Sequence, residues 1–104
     1  MNDIDPVIHA PARLRLCAML TAVDTARFGT VRDRLGVSDS VLSKHVSALA
    51  EAGYVRTTKG SVDGQRATWV ALTPRGRTAF AAHVAALRAV IDAAPVEGPA
   101  AAQG

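Results

Sequence analysis

Gly36-Val37-Ser38 breaks two short apolar segments apart, and that break restricts the fold of this chain more than any other feature. Val31 and Leu35 precede Gly36, at the place where a helix end calls for positive φ. Ser38 then offers an N-cap oxygen, and Asp39 behind it puts an acid in the first turn of a new helix. That helix carries Leu42, Val46 and Leu49 on one face, at i, i+4 and i+7. Ser40, Ser43, Lys44 and Ser47 occupy the other face, small donors beside one cation, and Gly53 ends the run. Short helices joined by a glycine turn of about three or four residues are a helix-turn-helix, a pair that serves chiefly to lay its second helix in a groove of DNA.

The flanking segments complete a single domain. Pro11 suits the first turn of a helix over 11–23, with Leu16, Leu20 and Val23 as its buried stripe. Helices are expected over 30–35 and 39–52. Residues 54–59 are β-branched and aromatic enough for a strand, 60–65 supply turn residues, and 67–72 return as a second strand. Val70 and Leu72 fall on one face of that strand, Trp69 and Ala71 on the other. Thr73-Pro74 starts a last helix reaching about residue 94. Residues 1–9 read as a flexible lead-in, and 95–104, made largely of proline, glycine and alanine, as a disordered tail.

Composition agrees with a mainly helical protein. The 104 residues are 49% hydrophobic and only 4% aromatic, with much of the apolar content alanine. A net charge of +3 suits a polyanionic partner without requiring one. Cys17 is the single cysteine, so no intramolecular disulfide can form. The acidic start is unlike a signal peptide, and the most apolar stretch, 80–94, is interrupted by His83, Arg88 and Asp92; a cytoplasmic location is expected. No nucleophile, base and orienting group occur together, and no glycine-rich phosphate loop occurs, so the chain does not read as an enzyme, and no cofactor is expected.

Helix, helix, helix, two-stranded wing and long helix is the winged helix-turn-helix order. The sequence resembles bacterial transcription regulators of the MarR and ArsR type, most of all a small single-domain group with a Leu-Thr-Pro-x-Gly start to the last helix. The resemblance rests on Arg13 and Leu16; Phe28; Leu35-Gly36-Val37-Ser38; Leu42-Ser43-Lys44-His45-Val46 with Leu49; Glu51-Ala52-Gly53-Tyr54-Val55; Gly64, Arg66 and Thr68; and Leu72-Thr73-Pro74-Arg75-Gly76. It covers roughly residues 8–92, and the winged helix domain is placed at 10–94. It implies a homodimeric regulator, usually a repressor, that binds a pseudo-palindromic site in double-stranded DNA. The thiol-rich metal motif of the arsenic-sensor branch is missing, and the chain is shorter than a full MarR protein.

The expected DNA-binding residues are Ser38, Ser40, Ser43, Lys44, Ser47, Lys59 and Arg66. Serine and lysine reach phosphates and base edges. Arg66 follows the hairpin tip, with Lys59 across from it, and a wing cation can enter a narrow minor groove. The resemblance suggests that Asp63 braces Arg66. Asp39 can accept from a cytosine amino group or only complement the helix dipole, and the second is the simpler reading. With no Arg, Asn or Gln on the exposed face of the recognition helix, groove shape read by Arg66 is expected to carry much of the sequence preference. Cations at 75 and 77 sit poorly in a first helical turn, which hints at an anionic neighbour.

Phe80, Val84, Leu87 and Ile91 repeat at four, three and four, the spacing of a helix seam. Part of this stripe must cover the domain's own core, and its far half is expected to meet a second copy with twofold symmetry. His45 reads as a packing or phosphate-touching residue, and Cys17 as an inert buried thiol. The spacing of His9, His45 and His83 suggests no metal site. Trp69 reads as packing at the wing base, although a cleft between it, the 11–23 helix and the last helix is where an unidentified small effector would fit. The rival to DNA binding is a winged helix used for protein interaction, which should expose apolar residues on the recognition helix rather than serine and lysine.

Overall fold

The helix-turn-helix forms where the glycine places it. The computed structural model describes residues 4–93. Its helices are α1 (Pro6–His9), α2 (Pro11–Thr21), α3 (Phe28–Leu35), α4 (Asp39–Glu51) and α5 (Pro74–Asp92). Its strands β1 (Ala26–Arg27), β2 (Val55–Val62) and β3 (Gln65–Leu72) form an antiparallel sheet in the order β1-β3-β2. This is a winged helix, mainly helical as the sequence predicts. Gly36 takes φ 70° and ψ 36°, and its N–H returns to the Arg32 and Asp33 carbonyls to close α3. Ser38 caps α4 by accepting from Val41 N–H at 3.2 Å.

The apolar stripes converge on one core. Leu16, Leu20, Val31, Leu35, Leu42, Val46 and Leu49 from the helices meet Val55, Val70 and Leu72 from the sheet. Cys17 is buried among them, and burial, with the Asp5 charge, pushes its thiol up to about 11 against the opposing effect of Arg13. Its burial is as the sequence predicts.

Four features differ from the sequence reading, the first being that α2 stops at Thr21, so Val23, expected in its buried stripe, lies beyond the helix and is 40% exposed. Residues 4–9 are not a flexible lead-in: Asp5 caps α1, Pro6 takes its first turn, and Ile8 is fully buried. Four residues are too short for a periodic signal, but Asp5-Pro6 was a start signal in its own right. β1 pairs Ala26 with Val70 and Arg27 with Trp69, a two-residue strand that no pattern announces. The wing is longer than expected, because Asp63 (φ 52°) and Gly64 (φ 77°) form a two-residue turn between Val62 and Gln65. Positive φ at both central residues is the demand that Asp-Gly meets in a hairpin. The expected tail at 95–104 lies outside the described residues. Among the described residues no helix is long and apolar enough to cross a membrane.

The wing and α5 are locked to the end of α4 around Tyr54. Thr73 Oγ1 accepts from Gly76 N–H at 2.9 Å, capping α5, and donates to the Gly53 carbonyl at 2.6 Å. Thr73 N–H donates to the Tyr54 carbonyl at 3.0 Å. Gly76 lies so close to that carbonyl that a Cβ would sit 2.0 Å from its oxygen. Tyr54 Oη reaches the Asp5 carboxylate at 2.6 Å, and Asp5 N–H donates to His83 Nδ1 at 3.0 Å. His83 is fully buried on α5, its ring edge-on to His9 with centroids 5.5 Å apart. An accepting Nδ1 assigns the proton of the neutral ring to Nε2, which has no partner among the described residues.

Gly76→Ala should therefore destabilise the domain by overpacking, by about 1–3 kcal/mol, and lower the melting temperature accordingly. An unchanged thermal unfolding midpoint would show that the close approach to Tyr54 is not needed. A second expectation concerns acid. Burial first, and the neighbouring His9 second, lower the His83 pKa from 6.5, while Asp5 opposes them without reversing the shift. The folded chain then binds this proton less tightly than the unfolded chain. The stabilisation is complete above pH 6.5 and is lost as pH falls through the lower folded value. Urea midpoints should drop from about pH 7.5 to about pH 5.5, and His83→Gln should shrink that drop. A midpoint equally acid-sensitive in both proteins would assign the effect elsewhere.

Candidate nucleic-acid interface

Leu42, Val46 and Leu49 turn one side of α4 to the core, which leaves Ser40, Ser43, Lys44 and Ser47 exposed. Ser38 keeps its hydroxyl at the helix start, 3.2 Å from that of Ser40. The sheet continues this surface by alternation. Val55 and Val70 point into the core, so the residues two and four further along, Thr57 and Lys59 on β2 and Thr68 and Arg66 on β3, share their face. A groove of about 470 Å³ runs between helix and wing, lined by Asp39, Ser43 and Ser47 from α4, by Thr57, Lys59 and Thr68 from the sheet, and by Phe28 and Val46 at its floor.

The groove unites Ser43, Ser47 and Lys59. Ser40 and Lys44 are exposed on α4 but do not line it. Arg66 lies further out on the wing, beside a shallow depression shared with Lys59, Gly60, Ala67 and Thr68. Lys59 does not face Arg66 directly: its cross-strand partner is Thr68, and Ser61 pairs with Arg66, so the two cations are diagonal neighbours on one face. Asp63 occupies the turn, and among the described residues it makes no ion pair with Arg66, so the expected brace is absent. The hydroxyls of Thr57 and Thr68 were missed in the sequence, although counting by twos from Val55 and Val70 reaches both.

The ion pairs present among the described residues centre on Arg32. Its Nε donates to Asp33 at 2.9 Å and its Nη1 to Asp39 at 2.8 Å. The hydrogen bond to Asp39, then that to Asp33, raises the guanidinium pKa above its already high ordinary value. Asp39 is thus tied across the helix-turn-helix rather than merely placed at a helix start.

Other residues are accounted for away from the groove. Arg13 donates to the Val7 carbonyl and approaches His45 Nδ1 at 3.4 Å, bracing α1 and α2 against α4. Burial, then the Arg13 charge, lowers the His45 pKa, as befits a packing residue. Arg77 donates to the carbonyls of Thr21 at 3.2 Å and Val23 at 2.9 Å, so the anionic neighbour is the C-terminal end of α2. Trp69 packs at the wing root with the Arg27 guanidinium 5.9 Å from its ring centroid. Among the described residues, an apolar depression lies between α2, β1 and α3, with Met19, Val23, Val31 and Arg34 on its walls. Although His9 and His83 meet, no group of three metal-ligating side chains occurs among the described residues.

The expected seam on α5 is graded. Phe80 packs against the domain's own core, and Val84 and Leu87 are half-buried. Ile91 is 73% exposed, with Val90 beside it at 47%.

A family described as winged helix DNA-binding domain matches residues 12–91. An uncharacterised protein of Methanocaldococcus jannaschii, MJ0432, is 27% identical over 78 residues, which is 75% of this chain and 85% of that protein. A transcriptional regulator homologue of Pyrococcus horikoshii OT3 superposes with a TM-score of 0.79 at 28% identity, over 84% of this chain and 86% of that one. A MarR-family transcriptional regulator of Silicibacter pomeroyi superposes with a TM-score of 0.64 at 34% identity, over 83% of this chain but only 57% of the longer neighbour. With the turn, the recognition helix and the wing all in place, the chain belongs to the winged helix DNA-binding domain family and is a MarR-like winged helix-turn-helix regulator.

Proposed function

We propose that the chain acts in the cytoplasm as a homodimeric repressor that binds a pseudo-palindromic operator. The observation that carries this reading is the groove between α4 and the wing, lined by the hydroxyls of Ser43, Ser47, Thr57 and Thr68 beside the ammonium of Lys59. Hydroxyls beside an ammonium suit phosphate and base-edge contacts alike. Ser38, Ser40 and Lys44 then meet the major groove from the exposed side of α4, and Arg66 enters the minor groove from the wing. The polar surface of α4 also disfavours the interaction-module reading, which calls for exposed apolar residues there. Dimerisation is assigned to α5, whose 19 residues span roughly 29 Å and leave Ile91 uncovered at the far end. The depression walled by Met19, Val23, Val31 and Arg34 is the seat for a small apolar effector.

In a mobility-shift titration on the DNA flanking its own coding sequence, log affinity should fall with log salt at a slope near −0.9 per neutralised phosphate. Lys59→Ala and Arg66→Ala should each weaken binding and flatten that slope by about two, one lost contact in each protomer. A salt-independent affinity, or silence of both variants, would remove the wing from the interface. Ile91→Glu, tested by sedimentation, should yield monomers with reduced operator affinity, since a dimer sets two recognition helices about one helical turn apart. A wild-type chain that sediments as a monomer would end the palindrome argument.

A further inference from the structure

A carboxylate on the DNA-facing side of a recognition helix demands a reason. Duplex DNA carries a negative charge about every 1.7 Å, so Asp39 opposes binding unless it accepts a specific hydrogen bond. It lines the same groove as Ser43, at the first position of α4, and the N-terminal residues of a recognition helix are the ones that meet base edges. Complementing the helix dipole requires only that a negative charge be near. Here one carboxylate oxygen is instead pinned, 2.8 Å from Arg32 Nη1, while Arg32 is itself held through Nε by Asp33 at 2.9 Å. The guanidinium links the last turn of α3 to the first turn of α4, restrains the carboxylate through one oxygen, and partly neutralises it against the phosphates. Its second oxygen is left with no hydrogen bond among the described residues, in a side chain that is 70% exposed.

We propose that Asp39, oriented by Arg32, reads cytosine by accepting from its N4 amino group in the major groove. An ionised carboxylate accepts and cannot donate. Guanine presents two acceptors, N7 and O6, and thymine presents O4, so both repel it. Adenine offers its N6 amino group beside the N7 acceptor, which a carboxylate also meets unfavourably. Cytosine alone presents the amino donor without an adjacent acceptor. Asp39 is the base-contacting residue and Arg32 a positioning residue. The inference rests on the DNA-binding reading above and replaces the dipole as the main role of Asp39.

The test is selection of binding sites from a randomised duplex library by the full chain and by three variants. The wild type should enrich cytosine at one symmetric position in each half-site. Asp39→Ala should lose that preference, by about tenfold or more, and keep the preferences at other positions. Asp39→Asn should move it toward adenine, because an amide can bond N6 and N7 together. Arg32→Gln should relax the preference at this same position only, a change that general loosening of the fold would not confine to one base pair. All three substitutions lie at exposed or half-exposed positions, and the Ser38 cap is retained. If Asp39→Ala and Asp39→Asn raise affinity evenly for every sequence, Asp39 is only a repelling charge and the proposal fails while DNA binding stands. A wild type that selects sites without cytosine has the same consequence. A wild type that selects no duplex at all overturns the DNA-binding reading together with it.

Discussion

The backbone around Tyr54 is the constraint on which the remainder of the molecule depends. This residue follows the glycine that ends α4, and three separate parts of the chain close on it. Its carbonyl accepts from Thr73 N–H, and Gly76 packs against that carbonyl at a distance no side chain could share. Its hydroxyl donates to Asp5, which caps α1 and ties it to His83 of α5. The end of the recognition helix, the exit of the wing, the start of α5 and the N-terminal helix are thus fastened within a few residues. Loss of any one of these contacts leaves a half-buried polar group unpaired, which is why they belong together rather than adding independently.

Because the hairpin leaves and returns at this knot, the face it turns toward α4 is determined. β2 begins at Val55, in the core, and β3 ends at Leu72, also in the core. Alternation along the strands then obliges Thr57, Lys59, Thr68 and Arg66 to stand on the side facing α4. A slip of one residue in register would send them to the opposite face and bring Trp69 and Arg56 round in their place. The Asp63-Gly64 turn guards against such a slip, since it admits positive φ at both central positions and so sets the pairing of Val62 with Gln65. The groove is therefore a consequence of two hydrophobic anchors and one turn.

Much of this was legible in the amino-acid sequence, for identifiable reasons. The helix-turn-helix was readable because Gly36, Ser38 and the Leu42, Val46, Leu49 stripe each answer a local physical requirement. The last helix was readable at Thr73-Pro74, but not the reason for Gly76, whose close neighbour lies 22 residues earlier in the chain. α1 and β1 escaped because they are too short to carry a period, and they hold their places through tertiary contacts such as the burial of Ile8. His83 read as an interruption of an apolar stretch. It is instead a core residue, and nothing in its local sequence says that a backbone N–H at position 5 will satisfy it. The polar residues of α4 were identified as a face, but a helical wheel cannot tell that Ser43 and Ser47 line the groove while Ser40 and Lys44 do not. That division depends on where the wing stands.

The recognition helix is consequently held at both ends and along one side. Arg32 grips Asp39 at its start, the Gly53-Tyr54 knot fixes its end, and Arg13 braces His45 midway against α1 and α2. The proposed binding of a stiff, regularly charged polymer through both α4 and the wing calls for this. If α4 and the wing moved independently, each would lose its own freedom on reaching the duplex, and that ordering cost would be subtracted from every contact made. A helix and wing already fixed in one body would meet a strand in a single event, without that cost. On the DNA-binding reading proposed above, Tyr54, Thr73, Gly76 and Arg13 act on affinity through the geometry they impose on α4 and the wing.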